Sequence, residues 1–196
     1  KMGSGKSTYA QAIADACRVH HMNPHIVSYA EPIKHIVHNV MKLPKDPKPR
    51  TLYQAIGEGA KEYDALIWNK YMEQRITSVC DNSQNDTVKP PLFIIDDVRF
   101  PSEIDHINQM TSNEGRFISI HVPCEVQLAR LCMRDNGHCV DYLKESLSHP
   151  TEHALDETNL SQERTLSIVS TNNMKETNIR EIIEFVSPLF PSTFLL

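Results

Sequence analysis

The stretch Met2-Gly3-Ser4-Gly5-Lys6-Ser7-Thr8 decides the fold of this chain. The pattern G-x-x-x-x-G-K-[ST] ends in the same residue types as Gly5, Lys6 and Ser7, and its leading glycine would lie one position before Lys1. Glycines in that pattern let the backbone curl, so that successive N–H groups face the β-phosphate of a nucleotide. The lysine reaches the β- and γ-phosphates, and the serine hydroxyl is a ligand for Mg²⁺. The stretch therefore predicts a phosphate-binding loop for a nucleoside triphosphate.

A helical pattern follows this loop directly. Apolar spacing predicts a helix over 6–21, whose positive end would point at the same phosphates. Gly3, Ser4 and Thr8 complete the predicted nucleotide-binding set. The alternative is a solvated glycine turn, because short matches of this kind also occur by chance.

The strand that normally leads into such a loop does not stand before Gly3 in this sequence. In P-loop folds that strand runs through the middle of a parallel sheet, and its loss would expose strand edges and backbone polar groups. We therefore expect the first residue to be a fragment boundary and the first strand to be missing.

Composition narrows the class of protein. Twenty Lys and Arg against 25 Asp and Glu give a net charge of −5, which disfavours a binder of nucleic acid polymers. No apolar run approaches the roughly 20 residues that cross a bilayer, so no membrane association is expected. The five cysteines are scattered and odd in number, which favours reduced thiols and a cytoplasmic location. The 196 residues fit one domain, 1–196.

Apolar runs and helical patterns alternate along the chain, which is typical of a layered α/β fold with a central parallel sheet. Strands are predicted at 25–29, 92–95, 117–122 and 166–170. Helices are predicted at 31–41, from 101, at 125–134 and across 179–186. Between the break at 43–49 and the polar loop 81–91, the stretch 51–80 is predicted to form two helices that meet near Gly57 and Gly59.

A second group of charged residues follows the apolar run 92–95. Asp96 and Asp97 would end a buried strand beside the phosphate-binding loop, where Mg²⁺ needs an anionic partner. Either carboxylate can serve; Asp97, which stands in an Asp-x-Arg unit with Arg99, is the first choice, unless it caps the following helix. Arg99 would face the ligand crevice, where its guanidinium can grip a phosphate with two hydrogen bonds.

Four segments, taken in order, resemble the bacteriophage-type deoxynucleoside monophosphate kinases, a branch of the P-loop nucleoside monophosphate kinases. The segments are the loop 2–7, Arg50-Thr51-Leu52-Tyr53-Gln54-Ala55-Ile56-Gly57, Asp97-Val98-Arg99-Phe100 with Glu103 following, and His149-Pro150-Thr151-Glu152. The segment 29–34 also resembles the family's second strand-to-helix junction. The resemblance implies a three-layer P-loop NTPase fold with an acceptor-binding helical region at about 43–80 and a lid at about 136–156. It also suggests a viral origin, which would make the compartment the host cytoplasm.

The resemblance also implies roles for residues of the acceptor site. Arg50 would contact the acceptor phosphate and Gln54 would lie near its base, two positions four apart that share a helical face. Glu152 would belong to the same site. An ordinary solvated arginine is the alternative for Arg50. Trp68 and Leu66 are predicted to be core residues, not base-stacking ones.

On the donor side, the family places arginines at the base of the lid. Arg130 and Arg134, four apart, would neutralise charge on the transferring phosphoryl group, unless they form a plain solvated helix face. Thr171 and Asn172 resemble the loop that borders the donor adenine, although asparagine-rich turns are common.

The expected activity is direct in-line transfer of the γ-phosphoryl group from ATP, with Mg²⁺, to a nucleoside monophosphate. The expected catalytic residues are Lys6, Asp97, Arg99, Arg130 and Arg134. The sequence leaves the base, the sugar and a possible homodimer open. The alternatives are a P-loop kinase for another phosphorylated acceptor such as phosphomevalonate, and a non-catalytic nucleotide-binding protein.

Overall fold

The computed structural model describes residues 3–46, 48–83, 91–112, 114–134, 153–156, 158 and 161–189, and these form a mixed α/β structure. The helices are α1 Lys6–Val19, α2 Glu31–His35, α3 Arg50–Tyr63, α4 Ile67–Ser83, α5 Pro101–Met110, α6 Cys124–Arg134 and α7 Lys175–Val186. The strands are β1 Asn23–Val27, β2 Pro91–Ile95, β3 Phe117–His121 and β4 Thr165–Val169. A π-helical turn, Ile36–Val40, continues α2, and short 3-10 turns occupy Gln162–Arg164 and Ser187–Leu189.

The strands are parallel, as predicted, but they form two pairs within the described residues. β1 pairs with β2, where His25 lies opposite Phe93, and β3 pairs with β4, where Ser119 lies opposite Ser167. The predicted single central sheet is therefore not continuous in the part of the chain that the structure describes.

Both strand pairs pack against one layer of helices. Leu92 and Ile94 of β2, together with Ile118 of β3, lie on a core built around residues of α1 and α7 such as Cys17 and Ile182. The two pairs thus cover a shared hydrophobic core, although no backbone hydrogen bond joins them into one sheet among the residues that the structure describes.

The opposite face of β2 contributes to a second core. Phe93 and Ile95 pack there with Val27 of β1 and with Trp68 and Met72 of α4. Alternate residues of a strand point to opposite faces, so β2 is covered on both sides. The predicted strand is confirmed and packs on both faces, but its side chains are only partly buried, so the predicted full burial is not reached.

The boundary between α3 and α4 lies seven residues after Gly57, so the predicted break near Gly57 and Gly59 is wrong. Gly57 lies inside α3, where an added Cβ would come within 3.3 Å of the Ile33 side chain. Trp68 Nε1 also donates to the Gly57 carbonyl at 3.0 Å, so this glycine allows close helix packing. The break falls at Asp64, whose carboxylate accepts from the Leu66 N–H at 3.0 Å at the start of α4.

The other boundaries differ from the predictions by smaller amounts. The first strand begins and ends two residues earlier than predicted, and α4 extends to Ser83, into the predicted loop 81–91. Trp68 is a core residue as predicted. Leu66 is half exposed because it lies in the turn between helices, so the prediction that it is a core residue was wrong.

Across the described ranges, every helix is too short or too polar to traverse a lipid bilayer.

Candidate functional site

The glycine-rich loop has the backbone that its sequence requires. Gly3 and Gly5 have φ values of 67° and 85°, a left-handed conformation that side chains disfavour. Gly5 is the N-cap of α1, and its carbonyl accepts from the N–H groups of Thr8 and Tyr9 at 3.0 Å each. The loop therefore leads directly into the N-terminus of a 14-residue helix that begins at Lys6, as predicted. That end of a helix favours anions.

The loop is also packed closely against neighbouring elements. A Cβ on Gly3 would lie 3.3 Å from the carbonyl oxygen of Gln127 and from the Leu131 side chain, both in α6. A Cβ on Gly5 would lie 3.4 Å from the Tyr9 ring. The loop thus rests on α6 on one side and on α1 on the other.

Two polar side chains of the loop contact each other. The Lys6 ammonium donates to the Ser4 hydroxyl at 3.3 Å, and Ser4 is almost fully buried. Thr8 is exposed in the first turn of α1. This places the ammonium group beside the loop, within reach of the space above the α1 N-terminus.

The structure brings Ser7 and Asp96 together from positions 89 residues apart. The Ser7 hydroxyl donates to Asp96 Oδ2 at 2.8 Å, so the first turn of α1 meets the carboxyl end of β2. A hydroxyl and a carboxylate are hard oxygen ligands that suit Mg²⁺, which usually keeps several waters and few protein ligands. Among the sequence-predicted metal ligands, this pair fits the ion.

The neighbouring Asp97 has a different set of contacts. Its carboxylate accepts from the Ser28 hydroxyl and from the N–H groups of Tyr29 and Ala30, at 2.8 and 2.9 Å for the two N–H groups. The Lys34 ammonium in turn donates to the Ser28 hydroxyl at 3.3 Å. Asp97 therefore fastens the end of β2 to the loop between β1 and α2. The geometry favours Asp96 over Asp97 as the metal-side carboxylate.

The helix cap that was an alternative for Asp97 is made by Glu103. Its Oε2 accepts from the N–H groups of Arg99 and Phe100 at 2.7 and 3.1 Å, at the start of α5. Burial raises the pKa of Glu103, and the two N–H groups and the nearby Lys61 oppose that rise. This buried carboxylate fixes the backbone from which the half-buried Arg99 side chain projects.

Lys61 of α3 lies beside Glu103 and Phe100. Its ammonium lies 3.2 Å from the centre of the Phe100 ring, and burial lowers its pKa, while Glu103 and Glu58 oppose that shift. The cation therefore covers the segment that carries Arg99, and it links α3 to the start of α5.

Arg130 joins three parts of the predicted donor site. Its guanidinium donates to the Gly3 carbonyl at 3.3 Å, to the Ser170 hydroxyl at 3.1 Å and to Asn172 Oδ1 at 3.2 Å. The sequence predicted a role for Arg130, Gly3 and Asn172 separately, and the structure brings them together. Thr171 lies half-buried between the last two contacts.

A buried polar network below this contact was not found in the sequence. Asn178 Nδ2 donates to the Tyr9 hydroxyl at 3.0 Å and to the Val169 carbonyl at 2.9 Å, and Tyr9 donates to Ser170 at 3.2 Å. A signal was present, because Asn178 is four residues before Ile182 on the buried face of α7, where a polar residue needs a partner. Ser28 was also missed, although it directly follows a strand.

The predicted acceptor side contains a cavity of about 400 Å³. Arg50 begins α3 as predicted, and Gln54 is half-buried one turn later; the lining residue of α3 is Tyr53, which lies between them. The other lining residues are Glu31, Lys34, His35, His38, Asn39, Lys45 and Lys48. Through Lys34 and its contact with Ser28, the cavity adjoins the Asp97 cluster.

Two predicted site residues cannot be placed. Arg134 is the last residue of α6, but its side chain lies outside the described residues, as do Glu152 and the predicted lid up to 152. Their predicted roles stay predictions.

Neither the protein-family models nor the curated proteins with which this chain was compared give a match.

Proposed function

We propose that this chain is a P-loop kinase that transfers the γ-phosphoryl group of ATP to a nucleoside monophosphate. The observation that carries the proposal is the hydrogen bond between Ser7 and Asp96, 89 residues apart. It joins a glycine-rich loop and helix N-terminus to an acidic strand end, which is the combination that nucleoside triphosphates and Mg²⁺ require.

The arrangement of strands supports the P-loop NTPase fold. In that fold the strand before the loop lies in the middle of a parallel sheet. Here two parallel pairs of strands pack on one hydrophobic core built around α1 and α7, and such parallel strands against a helix layer support a fold of that kind.

On the donor side, the residues would position phosphates and neutralise charge. Ser7 and Asp96 would hold Mg²⁺, which withdraws charge from the donor phosphates when bound. The N–H groups that follow Gly5 would face the β-phosphate, and Lys6 would leave Ser4 to reach the β- and γ-phosphates.

On the acceptor side, no covalent intermediate is needed. A phosphate oxygen of the acceptor is already nucleophilic near neutral pH, so placing it in line supplies most of the rate. Arg99, whose backbone Glu103 fixes, and Arg50 at the start of α3 would hold the acceptor phosphate. Lys34 and Lys48 make the adjoining cavity attractive to an anion.

The test is an ADP-release assay with Mg-ATP and a panel of deoxynucleoside and ribonucleoside monophosphates. Phosphomevalonate serves as the acceptor from outside the class. Lys6→Ala is the inactive reference, and Lys175→Ala, an exposed lysine at the start of α7, is the matched control. Nucleotide-dependent ADP release that Lys6→Ala abolishes and Lys175→Ala retains would support the proposal.

Two other outcomes would contradict the proposed nucleoside monophosphate kinase activity. Turnover with phosphomevalonate alone would keep the kinase and change its substrate class. ATP binding by a folded protein without turnover on any acceptor would instead indicate a non-catalytic nucleotide-binding protein.

A further inference from the structure

The backbone after α2 has an unusual form where it borders the acceptor cavity. At Ile36 the helix changes to a π-helical turn, Ile36–Val40, and the Met41 N–H donates to the Ile36 carbonyl at 2.9 Å. Lys42 then has a φ of 60°, a left-handed conformation that is uncommon outside glycine. Single π-helical turns occur frequently at functional sites. Together the two features turn the chain back toward the side chain of His38.

The contacts of His38 fix its hydrogen positions. Its Nδ1 lies 2.9 Å from the Leu43 carbonyl oxygen, which can only accept, so Nδ1 carries a hydrogen. In the neutral ring Nε2 is then the acceptor, and its partner is the Tyr53 hydroxyl. The two rings meet edge to face, with centroids 5.7 Å apart. Tyr53 therefore donates its hydroxyl hydrogen to His38.

This leaves Tyr53 as an acceptor toward the cavity. A tyrosine hydroxyl has one hydrogen, and once this is donated only lone pairs remain for a further partner. Tyr53 and His38 line the same cavity of about 400 Å³ as Lys34 and Lys48. The cavity thus offers cations for an anionic group. Besides the side-chain oxygens of Glu31 and Asn39, it offers the Tyr53 oxygen, which His38 holds in place, as an acceptor for an N–H group.

We propose that Tyr53 determines specificity for the acceptor by accepting a hydrogen bond from an N–H of its base, and that His38 is the positioning residue. The inference rests on the proposed function and narrows its substrate to an anionic ligand with a nitrogen heterocycle. A carboxylate, as in phosphomevalonate, would bring its own lone pairs against those of Tyr53 and would be disfavoured.

The test compares monophosphates that differ by one N–H group, with binding measured by calorimetry in the absence of ATP. The pairs are dCMP and its 4-deamino analogue, dAMP and its 6-deamino analogue, dGMP and dIMP, and dTMP and its N3-methyl derivative. Each pair is measured with the wild-type protein, with Tyr53→Phe, and with Tyr63→Phe. Tyr63 is the matched control because it lies on the same helix and is 92% exposed.

For the monophosphate that binds best, removal of its N–H should weaken binding about 3- to 10-fold in the wild type and in Tyr63→Phe. In Tyr53→Phe the same removal should change binding less than about twofold, since the partner of that N–H is already lost. An equal loss in Tyr53→Phe and wild type, or no binding of any monophosphate, would overturn the assignment.

His38 is tested by replacement with Leu and with Gln. His38→Leu leaves the Tyr53 hydroxyl free to rotate and should weaken the dependence on the ligand N–H, whereas the amide oxygen of His38→Gln can accept from Tyr53 and should restore part of it. Equal N–H dependence in both variants would contradict the positioning role. If binding depends on the ligand N–H through Tyr53 but no phosphoryl group is transferred, the role of Tyr53 is supported and the proposed kinase activity is contradicted. If transfer occurs but binding does not depend on the N–H, the kinase activity is supported and the role of Tyr53 is contradicted.

Discussion

Asp96 and Asp97 are adjacent in the sequence, but they belong to two different regions of the molecule. Asp96 faces the glycine-rich loop, where it accepts one hydrogen bond from the Ser7 hydroxyl. Asp97 faces the loop between β1 and α2, where it accepts from Ser28 and from two backbone N–H groups. One carboxylate lies among groups suited to a ligand, and the other is engaged in holding the fold together.

The difference shows how one strand end serves two purposes. Successive residues at the end of a strand point in opposite directions, so adjacent carboxylates reach different neighbours. The contacts made by Asp97 satisfy backbone donors that would otherwise lack partners. Within the described part of the chain, the Asp96 carboxylate accepts from a single hydroxyl, that of Ser7, which leaves lone pairs for a cation. The two aspartates should therefore respond differently to the same substitution.

The largest effect is expected for Asp96→Asn. This change should lower kcat/KM for phosphoryl transfer about 1000-fold, because the charge opposite the metal site is lost. Thermal unfolding should change little, since the amide oxygen can still accept from Ser7. Activity and unfolding are measured on the same preparation. A loss of activity that follows the fraction of unfolded protein would remove the distinction between the two aspartates.

Asp97→Ala should mainly affect stability. The substitution leaves the N–H groups of Tyr29 and Ala30 and the Ser28 hydroxyl without their acceptor, at a cost of about 3 kcal/mol in the free energy of unfolding. Urea unfolding measures this cost. Ser28→Ala, which removes one of the three bonds, should cost about 1 kcal/mol. Equal stability of Asp97→Ala and wild type would show that these three hydrogen bonds to Asp97 contribute nothing to the free energy of unfolding.

The sequence predicts the glycine-rich loop and the start of α1 better than the cavity beside Tyr53, for a physical reason. The loop around Gly5 and the start of α1 at Lys6 depend on local backbone chemistry, which a short motif contains. The strand 92–95 was identified because burial on both faces requires a continuous apolar run.

The sequence made Asp97 the first choice over Asp96, whereas the geometry favours Asp96. The contacts of Asp97 with Ser28 and with two backbone N–H groups are distant in sequence and could not be recognised from the residues alone. The break near Gly57 was predicted wrongly because close packing against Ile33 and Trp68, not a turn, explains that glycine. The contact between His38 and Tyr53 could not be predicted from the sequence either, because it depends on the π-helical turn that brings the two side chains together.

A smaller effect is expected for the buried polar network under the glycine-rich loop, and it tests whether that network supports the loop. Asn178→Ala leaves the Val169 carbonyl and the Tyr9 hydroxyl without a donor, and it should lower the free energy of unfolding by about 2 kcal/mol. The matched control is Asn173→Ala, since Asn173 is exposed in the preceding loop. Urea unfolding of both variants checks this. Equal stability of the two would mean that the network does not support the loop.

The smallest effect concerns Glu103 and the pH dependence of the free energy of unfolding. Burial raises the pKa of Glu103 above its ordinary value of 4.5, with the N–H groups of Arg99 and Phe100 and the charge of Lys61 acting in the opposite direction. The folded state then holds the proton more tightly than the unfolded state. The contribution of Glu103 to stability is therefore complete below pH 4.5 and decreases as pH rises through the folded-state pKa.

Glu103→Gln removes this titration and keeps a side-chain oxygen for the two N–H groups. Relative to wild type, the variant should gain stability as pH rises above 4.5, which urea unfolding across pH 4 to 7 measures. Glu114→Gln, at an exposed position, is the control for the loss of one carboxylate charge. If Glu103→Gln ran parallel to this control, the carboxylate would be as well solvated by its N–H partners as it is in water. The segment that carries Arg99 would then be held by Glu103 without any electrostatic cost.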